Sequence, residues 1–210
     1  MSWIRSAELF VKAHPFWVAT GVLGALGLYT VWRRSYQDFD EEYVGEPSCM
    51  GGVRDLGKVR LIVLHSTESD DSGGARNVAS WFAQPSISPG YPGSVQLVVG
   101  PQGEVYRSVP DDRMPCGAVE ANKDGLHVEI VGYAKWSRED WLSRTDQLRR
   151  VRDVVRKWSR MYGIPLVALT DEELRSGASG VTTHAQLSRV YSGGVGHWDP
   201  GTGFPIDRVL

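Results

Sequence analysis

Sulfur is scarce in this 210-residue chain, which has two cysteines, Cys49 and Cys116, and four methionines. Neither cysteine belongs to a CxxC pair, which argues against a thiolate zinc site. The two could form one disulfide if this part of the chain lies outside the cytoplasm, or remain unconnected thiols; sequence leaves both open. An excess of charge of one sign is also missing. The formal net charge is -2, which removes any global electrostatic case for nucleic acid as a partner. No internal repeat is visible. Histidine is limited to five residues and no HExxH helix is present, so a metal site would have to be assembled from distant positions.

Glycine, by contrast, is abundant at 24 residues, with 11 prolines, and predicts a body rich in turns. Eight tryptophans are many for this length; some belong in a core, and exposed indole faces would suit a carbohydrate polymer.

Residues 13–32, AHPFWVATGVLGALGLYTVW, contain no Asp, Glu, Lys or Arg. As a helix they would reach about 30 Å, the hydrocarbon thickness of a bilayer. Trp17 stands near one end and Tyr29 and Trp32 near the other, where aromatic side chains favour the interface. Gly21, Gly24 and Gly27 make a small-residue ridge. A membrane span is expected. A cleaved leader fits less well, because a strongly positive start is missing and no small-x-small cleavage site follows. Arg5 and Lys12 precede the segment and Arg33 and Arg34 follow it, so charge does not set its orientation. The expected organisation is an N-terminal membrane anchor or signal-anchor over 1–33, a tether over 34–53 and a catalytic body over 54–210, long enough for its own core.

In the body, VRLIVLH at 59–65 reads as a strand covered on both faces, with Ser66, Thr67 and Glu68 at its exit. GGARNVASWFAQ at 73–84 can form a short helix, and SVQLVVG and EVYRSV flank the turn PQG as a hairpin. In GLHVEIVGY at 125–133, Leu126, Val128 and Ile130 share one face and His127, Glu129 and Val131 the other. A carboxylate inside so apolar a strand needs a partner or a function, which singles out Glu129. Ser137 and Thr170 are positioned as helix caps. Between them, TDQLRRVRDVVRKWSRMYG carries Leu148, Val151, Val155, Trp158 and Tyr162 on one stripe, with Arg149, Arg152, Asp153, Arg156 and Lys157 on the remainder, expected as a solvated face. The tail from Ser176 to Pro205 has more chemistry than periodicity. His184 can open a helix, and His197, Trp198 and Asp199 lie in a loop bounded by glycine and proline. His65, His184 and His197 with Asp199 and Glu129 could supply a zinc site, but their spacing alone is a weak signal.

The order of LIVLHST, PQGEVYRSV, GLHVEI and THAQLS…GHWDPGTGFP resembles the type-2 N-acetylmuramoyl-L-alanine amidases, the superfamily of peptidoglycan recognition proteins and phage amidase endolysins. That resemblance covers nearly the whole body. It implies an α/β fold with a central mixed β-sheet flanked by helices, here behind an N-terminal transmembrane helix. It implies Zn2+ held by His65, His184 and Asp199, with Glu129 as proton acceptor and donor and His197 placed where many relatives carry lysine. His197 would stabilise the oxyanion or, alternatively, replace a ligand. Because histidine is a weaker constant cation than lysine, activity would then depend more strongly on pH near neutrality. The implied substrate is bacterial peptidoglycan, cut between N-acetylmuramic acid and L-alanine outside the cytoplasm, as by a phage or prophage endolysin. Alternatives are a non-catalytic peptidoglycan-binding module and a zinc peptidase acting on the stem peptide. Departures from the pattern are Cys116 in PCGAV, Gln96 where relatives often have tyrosine or histidine, and His127 where glycine is usual. His127 is expected to narrow the groove or to bind substrate.

Overall fold

The computed structural model describes residues 41–44, 47–84 and 93–210. Among these, no helix is long and apolar enough to cross a membrane. The expected span at 13–32 lies outside the described residues.

The body is built on a six-stranded sheet with β1 Glu41–Tyr43, β2 Leu61–Ser66, β3 Leu97–Val99, β4 Val105–Arg107, β5 Gly125–Ile130 and β6 Gly180–Thr183. Their spatial order is β1-β4-β3-β5-β2-β6. Only the β3–β4 hairpin is antiparallel; the other neighbours run parallel. The expected mixed sheet with flanking helices is therefore present. β2 lies between β5 and β6, and all six of its residues are buried, as its unbroken apolar run requires.

Alternation divides the sheet into two faces. Ile62, Leu64, Leu126, Val128 and Ile130 pack against Leu148, Val151, Val154, Val155 and Trp158 of α3, Thr145–Tyr162. Gly163 ends that helix in the left-handed region. Lys157, expected on the solvated face, is instead buried; periodicity marks it as polar but cannot see what packs over its stem. Short helices α2, Arg138–Leu142, and α4, Asp171–Arg175, begin at Ser137 and Thr170 with reciprocal capping boxes. On the opposite face, Leu61 and Val63 pack with Ala118, Ala121, Leu169 and Leu187. Val98 and Val131 pack with Ala75, Ala79 and Phe82 of α1, Gly74–Phe82. Between these two apolar clusters, β5 presents His127 and Glu129.

Part of the segment expected as tether is a strand. β1 pairs in parallel with β4, and Arg107 Nε donates to Glu41 Oε1 at 2.8 Å. Further along, Cys49 and Cys116 are joined in a disulfide with Cα atoms 6.0 Å apart, which resolves the open question about the two thiols. The bond closes a loop over a sequence separation of 67. Replacing both cysteines by serine is expected to lower stability by about 2–4 kcal/mol, mainly by freeing the unfolded chain. Calorimetry should show a melting temperature lower by roughly 5–15 °C for a chain of this length; an unchanged transition would show that the bond contributes nothing.

Candidate metal centre and active site

The carboxyl ends of parallel strands are where open α/β sheets gather their chemistry, and three side chains meet there. His65 is the penultimate residue of β2. His184 is the first residue of α5, His184–Tyr191, directly after β6, with Thr183 Oγ1 capping the helix at Gln186 N. Asp199 comes from the loop that follows α5, and its carbonyl accepts from Ala185 N at 2.8 Å. Ser188 pins the same loop, its carbonyl accepting from Gly194 N and its Oγ from His197 N. The Asp199–Pro200 peptide is cis. Gly201 has φ +85°, and a Cβ there would collide with the Ala134 carbonyl. Glycine in the DPG sequence is thus required on both counts.

The donor atoms converge. His65 Nδ1 lies 3.1 Å from His184 Nδ1 and 3.3 Å from Asp199 Oδ2, and His184 Nδ1 lies 3.2 Å from Asp199 Oδ1. Donors about 2.0–2.1 Å from a tetrahedral ion stand about 3.3 Å apart, so the spacing and the two-imidazole, one-carboxylate set fit Zn2+. His65, His184 and Asp199, all buried, could form a metal site. Burial alone would raise the Asp199 pKa, but the adjoining His184 and His65 imidazoles outweigh it and hold the carboxyl well below its usual range. His65 is shifted downward, chiefly by burial, so it is poised as a neutral ligand.

Glu129 sits beside His65 in the β2–β5 register. Burial raises its pKa well above the usual value, and the like charges of Asp199 and Glu68 add to the effect. The Glu129 carboxylate forms no hydrogen bond or ion pair among the described residues, so the structural ion pair that would otherwise explain a carboxylate here is not what holds it. His197 is more exposed. Its ring stacks on His184 with centroids 3.7 Å apart, and its Nδ1 is 3.5 Å from Asp199 Oδ1. The sequence-expected residues therefore lie together, with Asp199 rather than His197 completing the donor cluster.

Two expectations require correction or completion. His127 is fully buried and contacts His65, Nδ1 to Nε2 at 2.9 Å. It therefore cannot line a groove or touch substrate. Gln96 is equally buried; its Oε1 accepts from His127 N at 2.8 Å and its Nε2 donates to Arg113 O, which makes it a brace for β5. Glu68 received no role from sequence beyond the polar exit of β2. It holds a left-handed φ of 53°, stabilised where its Oε1 accepts from Ala134 N at 2.7 Å and Ser66 Oγ at 2.8 Å. It thereby joins the exits of β2 and β5 beside Glu129. No local pattern announces that conformation for a glutamate.

This fold is shared with solved amidases and peptidoglycan recognition proteins. The AmiA hydrolase of Staphylococcus aureus, solved with its ligand, superposes with a TM-score of 0.57 at 19% identity, covering 87% of this chain and 81% of that one. AmpD gives 0.56 at 15% identity over 80% and 92%. A complex of peptidoglycan recognition proteins LCa and LCx with tracheal cytotoxin gives 0.55 at 16% identity over 79% and 92%. No curated protein sequence matches significantly. Residues 55–202 match the N-acetylmuramoyl-L-alanine amidase family. The chain belongs to that family and is an enzyme of that class.

Proposed function

We propose that the chain hydrolyses the amide between N-acetylmuramic acid and L-alanine in bacterial peptidoglycan, using Zn2+ held by His65, His184 and Asp199. The observation that carries this reading is the meeting of their three donor groups at 3.1–3.3 Å with Glu129 on the adjacent strand. When bound, the ion would polarise the scissile carbonyl and acidify water. Glu129 takes a proton as water oxygen bonds to the carbonyl carbon, then returns a proton to the amine of L-alanine as the carbon–nitrogen bond breaks. His197, stacked on His184 and open to solvent on its other side, donates to the developing oxyanion.

The setting we propose is that of a phage or prophage lysin. Residues 13–32 anchor it in the membrane, with the catalytic body outside the cytoplasm, in the periplasm or cell-wall space. The charge-free, glycine-ridged segment supports anchoring, and the disulfide suits an oxidising compartment. Fractionation before and after membrane depolarisation tests release: the protein is expected in the membrane fraction first and free of it afterwards.

Digestion of purified cell walls tests the reaction. The expected products carry new N-terminal alanine, appear only without chelator, and return when Zn2+ is restored. New termini elsewhere in the stem peptide would make the chain a peptidase. Wall binding without any cleavage would make it a recognition module.

A further inference from the structure

His127 has no counterpart in the reaction just described, although it lies against one of the residues that would hold the ion. It is wholly buried, where a polar ring must be hydrogen-bonded at both nitrogens or carry a cost. Both nitrogens have partners. Nε2 faces the Ala121 carbonyl at 3.3 Å, and Nδ1 faces His65 Nε2 at 2.9 Å. The ring is confined between two glycines: a Cβ at Gly117 would stand 2.6 Å from its Nδ1, and one at Gly125 would stand 2.9 Å from its Nε2. Ala121 is itself fixed. Asn122 Oδ1 accepts from Gly117 N and Ala118 N at 3.0 and 2.9 Å, and the turn is tethered through Cys116 to Cys49.

These contacts fix a direction. A carbonyl oxygen can only accept, so His127 Nε2 carries the hydrogen. A neutral imidazole has one ring hydrogen, so His127 Nδ1 is an acceptor. His65 Nε2 must then be the donor across the 2.9 Å contact, and His65 Nδ1 is left with a lone pair. That nitrogen is the one facing His184 and Asp199. The opposite arrangement would set two lone pairs against each other at Ala121 and aim an N–H of His65 into the donor cluster.

We propose that His127 is a positioning residue that transmits the polarity of the Ala121 carbonyl to His65, fixing the tautomer and ring orientation in which His65 Nδ1 can ligate a metal. Metal-bound histidines commonly rely on an oxygen acceptor for this purpose; here a second imidazole relays a backbone carbonyl from one residue further away. The proposal rests on the metal reading above, and its test separates the two.

Zn2+ affinity of the full chain, measured by competition with a chromophoric chelator, is the readout. His127→Asn places Oδ1 near the position of Nδ1 and is expected to retain near wild-type affinity. His127→Leu fills the same slot without an acceptor and is expected to bind about 10–100-fold more weakly. Equal affinities in the two variants would overturn the proposal. Nitrogen NMR of the metal-free wild type does not depend on either variant folding: His65 is expected to be protonated at Nε2, and protonation at Nδ1 would also overturn it. Failure of the wild type to bind Zn2+ would sink the metal reading, while the tautomer measurement would still decide the role of His127.

Discussion

Glu129→Gln is expected to keep its zinc and lose its turnover, whereas His184→Ala is expected to lose both. Glutamine preserves the volume of Glu129 and its place between the apolar clusters of the sheet. It cannot accept a proton from water or return one to an amine. Proton transfer by a positioned side chain contributes about 10²–10⁴-fold, or roughly 3–5.5 kcal/mol of barrier, so kcat should fall by that amount. The three donors are untouched, and metal analysis should still find one zinc per chain. His184→Ala removes one of three protein donors from a site whose partners stand only 3.1–3.2 Å away. Two donors do not make a closed three-ligand site, so bound zinc should drop to a small fraction and activity with it. The pair discriminates because each variant moves a different observable. A Glu129→Gln enzyme with unimpaired cleavage would remove Glu129 from the chemistry, and a zinc-replete His184→Ala would dismantle the proposed centre.

What sequence revealed of this architecture follows from how local each signal is. The β2 run, the α3 stripe and the caps at Ser137 and Thr170 are written within a few turns of chain, where side-chain period and capping geometry act directly. The edges were less legible. β1 is a charged segment, EEY, held to β4 by Glu41 and Arg107 from 66 residues away. β6 is only GVTT, and its neighbour β2 completes it. The same distinction governs the site. His65 and Glu129 could be singled out because each interrupts an apolar strand, but their meeting with His184 and Asp199 depends on crossovers that spacing does not encode. The resemblance supplied that connection. It marked His127 as a departure and assigned it to the groove or the substrate, but could not foresee its partners, the Ala121 carbonyl and the His65 ring 62 positions earlier.

Asp111→Ala should be the most destabilising change away from the metal centre, by about 3–5 kcal/mol, because it removes one member of a buried charge network. The carboxylate accepts from Arg107 Nη1 at 2.7 Å, Trp158 Nε1 at 3.2 Å and the Tyr162 hydroxyl at 2.8 Å. Arg107 also holds Glu41 of β1, so Asp111 links the sheet edge to α3. Alanine would leave those donors facing a cavity, each with a desolvation cost that water cannot easily recover. The pH dependence has a defined sign. Burial by itself would raise the Asp111 pKa, but the charge and hydrogen bonds of Arg107, with help from Tyr162 and Arg54, bring it below the usual carboxylate value. The native state therefore favours the ionised form more than the unfolded chain does. Its contribution is complete above the unfolded pKa of about 3.9 and is lost as pH falls through the lower native value. Urea unfolding at pH 7 should show the full gap between wild type and Asp111→Ala, and the gap should narrow in acid below about pH 4. A loss under about 1 kcal/mol at neutral pH, or a gap that widens in acid, would mean that the network does not bind β1 and α3 together as its geometry requires.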